Sequence, residues 1–302
     1  MDRENTYDNP HIIKLFEGNP GNKIIVVGGI HGNEEAGIHA IENILKSFTN
    51  YFDPGKGSVY FLKGNIPALE NGERFIEKDL NRLWIPDIIN RKKPVYQDEI
   101  PLKKLHSLII NDICKNKTQG CTFIDLHTFS ASSGLFCIPA DNPQSIEMAR
   151  SFGVPFIEKL STNLQGTTLE YFGAKGMTSV VFEGGTHGTR EAVNNLTYAL
   201  WHAFAYKGVI DENIDAVTKS REALRSISRQ YPHHLELIYH HQLETYHNFR
   251  MKEGYYNFKP VKKHEPLALQ EGKVIDSPSD GYILMPLYQE KGSDGFFIVT
   301  EK

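Results

Sequence analysis

The chain has 302 residues, 40% of them hydrophobic and 23% charged, with a formal net charge of −4 at pH 7. These are ordinary values for a globular chain long enough to bury a full core, and they exclude disordered and fibrous classes. The charge balance carries no basic footprint for nucleic acid, although it leaves room for a local cationic pocket.

Residues 1–18 (MDRENTYDNPHIIKLFEG) contain no apolar core of signal-peptide length, and no later run is long enough to span a bilayer. The expectation is a soluble, cytoplasmic protein without a membrane partner. Residues 23–28 (KIIVVG) form the first short apolar run rich in β-branched residues and are predicted as a buried strand. Residues 34–48 follow with apolar side chains at Ile38, Ile41, Ile44, Leu45 and Phe48, a helix-spaced stripe. A second strand is predicted over 58–62 (SVYFL), a helix over 102–114, and further strands over 121–126 (CTFIDL) and 179–182 (SVVF). Another helix is expected over 191–206. Strands alternating with helices predict an α/β domain with a largely parallel or mixed sheet.

Beyond residue 208 the character changes. Residues 210–228 read as a polar, amphipathic helix. From about Pro232 the chain is rich in Tyr, His, Gly and Pro, with strand-like pieces at 281–285 and 295–299 set off by turn signals at 277–281 and 292–295. We therefore expect a catalytic domain over residues 1–208, then a helical connection and a β-rich C-terminal domain over residues 209–302. The three cysteines, Cys114, Cys121 and Cys137, have no zinc-finger spacing and are expected to be reduced and buried.

Three predicted strands end on residues suited to chemistry. KIIVVG runs into Gly29-Ile30-His31-Gly32-Asn33-Glu34, FIDL runs into His127, and SVVF runs into Glu183-Gly184-Gly185. In open α/β sheets the carboxyl ends of strands share one edge, where ligands bind, so residues far apart in sequence become neighbours. His31 and Glu34 lie three apart at a strand-to-helix turn, where Gly28, Gly29 and Gly32 allow a tight backbone path. Two imidazoles and one carboxylate are a familiar ligand set for catalytic zinc, with one coordination position left open for water. Glu183, beside such a metal but not on it, is placed to take a proton from water and deliver it to a leaving nitrogen. Asp125, two residues before His127 on the same strand face, can orient that imidazole or simply end the sheet. Arg74, Asn81 and Arg82 form a cationic cluster. A guanidinium with an amide suits a substrate carboxylate, and a second arginine suits a developing oxyanion.

GGIHGNE (28–34), RFIEKDLNR (74–82), FIDLH (123–127) and VFEGG (181–185), in this order and spacing, resemble the succinylglutamate desuccinylase/aspartoacylase family, relatives of the zinc carboxypeptidases. The resemblance covers roughly the first two hundred residues. It implies a zinc carboxypeptidase-like three-layer α/β/α fold with one zinc held by His31, Glu34 and His127. It further implies that Arg74 polarises the scissile carbonyl, that Asn81 and Arg82 bind the substrate carboxylate, and that Glu183 is general base and acid. PSDGYILMP (278–286) and GSDGFFIV (292–299) resemble the hairpins of the family's β-rich extension, where Tyr282 or Tyr288 is a candidate to touch substrate. One departure is that aspartoacylase-like enzymes carry a further arginine shortly before the catalytic glutamate. Residues 161–178 contain none here, and Tyr171 and Lys175 are the only candidates in its place.

The expected activity is zinc-dependent hydrolysis of the amide bond of an N-acyl amino acid or a related small anionic amide. A metallocarboxypeptidase acting on peptides uses the same groups and is the alternative. A non-catalytic metal-binding or carrier protein is the alternative from another class. Among the remaining histidines, His187, His233, His234, His240 and His241 are expected to be satisfied or exposed. The sequence sets no oligomeric state.

Overall fold

The computed structural model describes residues 9–243 and 248–302. The first eight residues of the stretch inspected for a signal sequence lie outside the described residues. In chain order the elements are β1 (Ile12–Phe16), β2 (Lys23–Gly28), α1 (Ala36–Leu45), β3 (Ser58–Lys63), α2 (Ile66–Asn71), α3 (Pro86–Ile89), α4 (Glu99–Ser107) and β4 (Cys121–Phe129). There follow β5 (Phe136–Pro139), α5 (Pro143–Ser151), β6 (Phe156–Glu158), α6 (Thr168–Ala174), β7 (Thr178–Thr186), α7 (Arg190–Tyr206) and α8 (Asp215–Ser228). The rest is strands: β8 (His234–Gln242), β9 (Phe249–Met251), β10 (Lys259–Val261), β11 (Pro266–Gln270), β12 (Lys273–Asp276), β13 (Gly281–Leu284) and β14 (Asp294–Glu301).

Eleven strands form one sheet in the order β1-β3-β2-β4-β7-β5-β6-β8-β14-β13-β10. β3, β2, β4 and β7 run parallel, whereas β1 and β5 lie antiparallel to their neighbours β3 and β7, so the sheet is mixed. Because side chains alternate along a strand, β2 feeds two cores. Ile24 and Val26 pack with Ile41 and Ile44 of α1 and Leu196 and Leu200 of α7. Ile25 and Val27 face the other way and pack with Leu102 and Leu105 of α4 and Phe172 of α6. This makes the expected α/β/α sandwich.

Two helices differ from expectation. The helix predicted from residue 34 begins at Ala36, because the Glu34 N–H donates to the His31 carbonyl at 3.1 Å and closes a turn that aims the Glu34 carboxylate inward. The helix predicted over 102–114 begins at Glu99, then widens to a π-type winding over Leu108–Ile113. That widening places Leu108, Ile109, Ile110 and Ile113 in a single buried cluster.

The C-terminal part is β-rich. β8 enters the large sheet beside β6, with Phe156 paired to His234, and β14, β13 and β10 continue from it. The three-stranded sheet β12-β11-β9 packs against these through Met251, Leu267, Ile283, Phe296 and Ile298. Cys114, Cys121 and Cys137 are free and buried. No helix among the described residues is long and apolar enough to cross a membrane.

Candidate active site

β2, β4 and β7 are adjacent and parallel, so their carboxyl ends share an edge, and His127 stands opposite Glu183 in the register. The turn after β2 adds His31 and Glu34 to that edge. Its path requires glycine: Gly29 has φ +74°, and a Cβ on Gly32 would fall 2.0 Å from the Ala68 carbonyl carbon. The Glu34 carboxylate crosses to β4, where it accepts the Thr128 N–H at 2.8 Å.

One ligand atom each from His31, Glu34 and His127 lies within 4.8 Å of the others, and all three residues are buried. His31 Nδ1 is 2.8 Å from Glu34 Oε1, and His127 Nδ1 is 3.2 Å from Glu34 Oε2. On the far side of each ring a second carboxylate waits. His31 Nε2 is 3.0 Å from Asp79 Oδ1, and His127 Nε2 is 3.1 Å from Asp125 Oδ2. A carboxylate behind each imidazole is how proteins orient metal-binding histidines. Asp125 Oδ2 also accepts from Thr168 Oγ1 at 2.6 Å, and Asn81 Oδ1 accepts the Thr168 N–H at 2.9 Å, which ties the site to α6.

Charge and burial agree with such a role. Burial opposes ionisation of Glu34, but His31 and His127 outweigh it and hold the carboxyl well below the usual carboxylate range. Burial likewise opposes charge on His127, and Asp125 and Glu34 reverse that and raise it well above an ordinary histidine. Arg74 Nε, Asp125 Oδ1 and Glu183 Oε2 are buried without a hydrogen-bond partner among the described residues. Buried orphans are rare in native proteins, and their gathering here suits an ion and a substrate. The donor set of two nitrogens and one oxygen fits zinc.

Glu183 is 6% exposed, and burial pushes its carboxyl up to about 8 against partial opposition from His127. A carboxyl poised near neutrality can both accept and donate a proton.

The arginine loop is shaped by a residue that no sequence motif marks. Asp98, 1% exposed, accepts the backbone N–H groups of Ile76, Glu77 and Lys78 at 3.1, 2.7 and 3.0 Å. Arg74 donates to Glu34 Oε1 and Asp79 Oδ2, each at 3.3 Å. Arg82 donates from Nε to Ser293 Oγ at 3.3 Å, from Nη1 to the Asn81 carbonyl at 2.7 Å, and from Nη2 to Asp294. Asp294, at the start of β14, also takes His240 Nε2 at 2.9 Å. In the sequence Asp294 stands out only as part of a turn signal. No local pattern identifies its role, because its partner lies 212 positions away.

Burial opposes the Asp294 charge, while Arg82 and His240 hold the carboxyl down at about 2, against an ordinary 3.8. A depressed carboxylate stabilises the fold above its unfolded pKa and loses that contribution as pH falls through its folded one. Asp294→Asn should therefore cost about 2 kcal/mol at pH 7. The difference from the parent should shrink as pH drops from 4 towards 2. Urea midpoints across that range measure it, and equal midpoints at pH 7 would refute it.

The seven residues given metal, catalytic or substrate-binding roles from the sequence, His31, Glu34, Arg74, Asn81, Arg82, His127 and Glu183, line one cleft. Met285, Leu287, Gln289 and Asp294 line it from the C-terminal part. Tyr282 and Tyr288 do not line it, their hydroxyls donating to Glu301 and to the Lys252 carbonyl. Tyr171 and Lys175 also stay outside, Tyr171 pairing with His106 Nε2 at 2.7 Å. His187 sits closer to the chemistry than its sequence context suggests. Its Nδ1 is 2.7 Å from Thr128 Oγ1, and burial lowers its affinity for a proton. His234, His240 and His241 pair with Glu158, Asp294 and Gln270.

The Succinylglutamate desuccinylase/Aspartoacylase catalytic domain profile matches residues 20–197. A probable aspartoacylase of Nostoc sp. is 30% identical over 117 residues, which cover 39% of this chain and 38% of that protein. A succinylglutamate desuccinylase of Pseudomonas putida is 44% identical over 64 residues, 21% of this chain and 19% of that protein. The matched stretches thus span well under half of these relatives. Among solved structures, the product-bound Ectoine utilization protein EutE from Ruegeria pomeroyi superposes with a TM-score of 0.68 at 14% identity, over 95% of this chain and 87% of that one. A succinylglutamate desuccinylase/aspartoacylase structure from Rhodobacter sphaeroides superposes with a TM-score of 0.67 at 17% identity, over 95% and 88%. These neighbours share the fold. With the profile spanning more than half of its length, the chain belongs to the succinylglutamate desuccinylase/aspartoacylase family.

Proposed function

We propose that the protein is a zinc-dependent hydrolase that cleaves the amide bond of an N-acyl amino acid or a related small carboxylate-bearing amide. The observation that carries this is the convergence of His31, Glu34 and His127 within 4.8 Å beside the buried Glu183, whose Oε2 has no hydrogen-bond partner among the described residues. Zinc held by these three residues supplies Lewis acidity. Glu183 takes the proton of the attacking water and returns it to the departing amine. Arg74, whose Nε is a buried donor without a partner among the described residues, steadies the negative charge that grows on the carbonyl oxygen. Arg82 and the amide nitrogen of Asn81 hold the substrate carboxylate and so fix its orientation.

Labour is divided along the chain. Residues 1–208 supply ligands and catalytic groups, while residues 209–302 narrow the entrance. With Met285, Leu287 and Gln289 lining the cleft from the C-terminal part, small acyl amino acids suit it better than polypeptides, which need an open groove. Three buried free thiols support a cytoplasmic location.

Protein purified without added metal should contain about one zinc per chain, as the three-ligand site requires. It should hydrolyse members of an N-acyl amino acid panel faster than C-terminal residues of short peptides. Faster peptide trimming would favour a carboxypeptidase. Turnover of neither substrate class, with zinc present, would leave a metal-binding protein without catalysis.

A further inference from the structure

We propose that the cleft selects a substrate carrying one carboxylate and an apolar substituent, and discriminates against N-acyl dicarboxylic amino acids. This rests on the N-acyl amino acid hydrolase reading and narrows its substrate class. Together with the candidate metal ligands, the cleft is lined by the apolar side chains of Ile138, Leu164, Leu169, Val181, Met285 and Phe297. They come from β5, the segment before α6, α6 itself, β7, the residue after β13, and β14, and all belong to or pack on a single hydrophobic cluster. Ile138, Leu169, Val181 and Phe297 are at most 6% exposed, so the wall is a fixed surface. Leu164 and Met285 are the partly exposed rim.

Besides the site residues already described, the polar side chains on the cleft are Thr128, Ser130, Thr167 and Gln289, none of them charged. Thr167 Oγ1 donates to the Leu164 carbonyl and accepts the Glu170 N–H, Ser130 Oγ accepts the Tyr288 N–H, and Thr128 Oγ1 faces His187. Among the described residues, Arg74 and Arg82 are the only lysine or arginine side chains on the cleft. Arg74 is bound to two carboxylates. A guanidinium has five N–H donors. Arg82 uses three of them on Ser293, Asn81 and Asp294, which leaves one on each terminal nitrogen. That is a fork for one carboxylate, in a pocket where Asp294 already offsets the charge of Arg82.

A second substrate carboxylate set against the apolar wall would therefore lose its hydration without gaining a cationic partner. An aliphatic or aromatic group placed there buries surface instead. The apolar group can be the amino acid side chain or the acyl chain, and the two are told apart by substrate.

The test uses the full chain with zinc supplied and compares kcat/KM for N-acetyl-L-leucine, N-octanoylglycine, N-acetyl-L-aspartate and N-succinyl-L-glutamate. At least one apolar substrate should exceed both dicarboxylates by on the order of 100-fold. Preference for the leucine derivative assigns the wall to the side chain, and preference for the octanoyl derivative assigns it to the acyl group. Dicarboxylates turned over equally well or better would overturn selection by the wall and leave the hydrolase intact. If no compound is hydrolysed, the hydrolase reading fails. Calorimetric titration of the same four compounds then decides the wall alone: tighter binding of an apolar compound sustains it, and equal binding or none refutes it. Leu164→Arg, at the partly exposed rim, should cut the apolar-to-dicarboxylate ratio at least tenfold, and a folded variant with an unchanged ratio counts against the proposal.

Discussion

Glu183→Gln should bind zinc as the parent does and hydrolyse N-acyl amino acids at least 100-fold more slowly, within the range by which a positioned general base accelerates such reactions. Glutamine keeps the size and polarity of the side chain but cannot carry a proton from water to amine. Zinc stoichiometry by elemental analysis separates this outcome from collapse of the site. The parent should show an acidic limb in its pH–rate profile below 8, since burial raises Glu183 to about 8 in the metal-free chain and a nearby cation favours the ionised form. The residual activity of the variant should lack that limb. Stability should move in the opposite sense to activity. A carboxyl whose folded pKa lies above its ordinary 4.5 binds more protons in the folded state, so its presence destabilises the metal-free chain progressively as pH rises from 4.5 towards 8. Glu183→Gln removes that effect, and its denaturation midpoint should exceed the parent's by more at pH 8 than at pH 5. Full activity in this variant would remove Glu183 from the mechanism.

His127→Ala should lower zinc affinity by more than the 10- to 100-fold expected for losing a carboxylate behind a ligand, so that protein purified without added metal contains almost none. Asp125→Asn supplies that milder comparison, because Asp125 Oδ2 lies 3.1 Å behind the His127 ring. In the metal-free chain His127 also stands between the carboxylates of Asp125 and Glu34, both almost fully buried. Its removal leaves two buried negative charges without their common partner, a change worth roughly 3–5 kcal/mol in other buried pairs. A lower thermal midpoint without metal, and no stabilisation on adding zinc, is the expected pair of results. Unchanged zinc content in His127→Ala would discard the proposed ligand set.

Much of the central sheet and of the edge that carries the candidate site is legible in the amino-acid sequence. Each of the four apolar runs is a strand of that sheet, since continuous β-branched stretches bury both faces only between helices. The ends of β2, β4 and β7 carry His31, Glu34, His127 and Glu183 because parallel strands put their carboxyl ends on one edge. The start of α1 is not legible in the same way. The predicted helix starts at Glu34, but the Glu34 carboxylate is bound by Thr128 N–H and two imidazoles, and that tertiary demand outweighs local helix preference.

Residue type and spacing alone pointed to the kind of site: two imidazoles and a carboxylate near a second acidic group, on a parallel-sheet edge, with arginines nearby. The tertiary structure decided what those arginines face. Asp98 folds the arginine loop by capturing three backbone N–H groups, and Asp294 arrives from β14 to occupy Arg82. The hydrophobic cluster that walls the cleft is likewise assembled from widely separated stretches of chain. Local sequence cannot encode such partners, because a salt bridge or a shared apolar surface is chosen by through-space distance, and packing of the last strands against the first two hundred residues sets that distance.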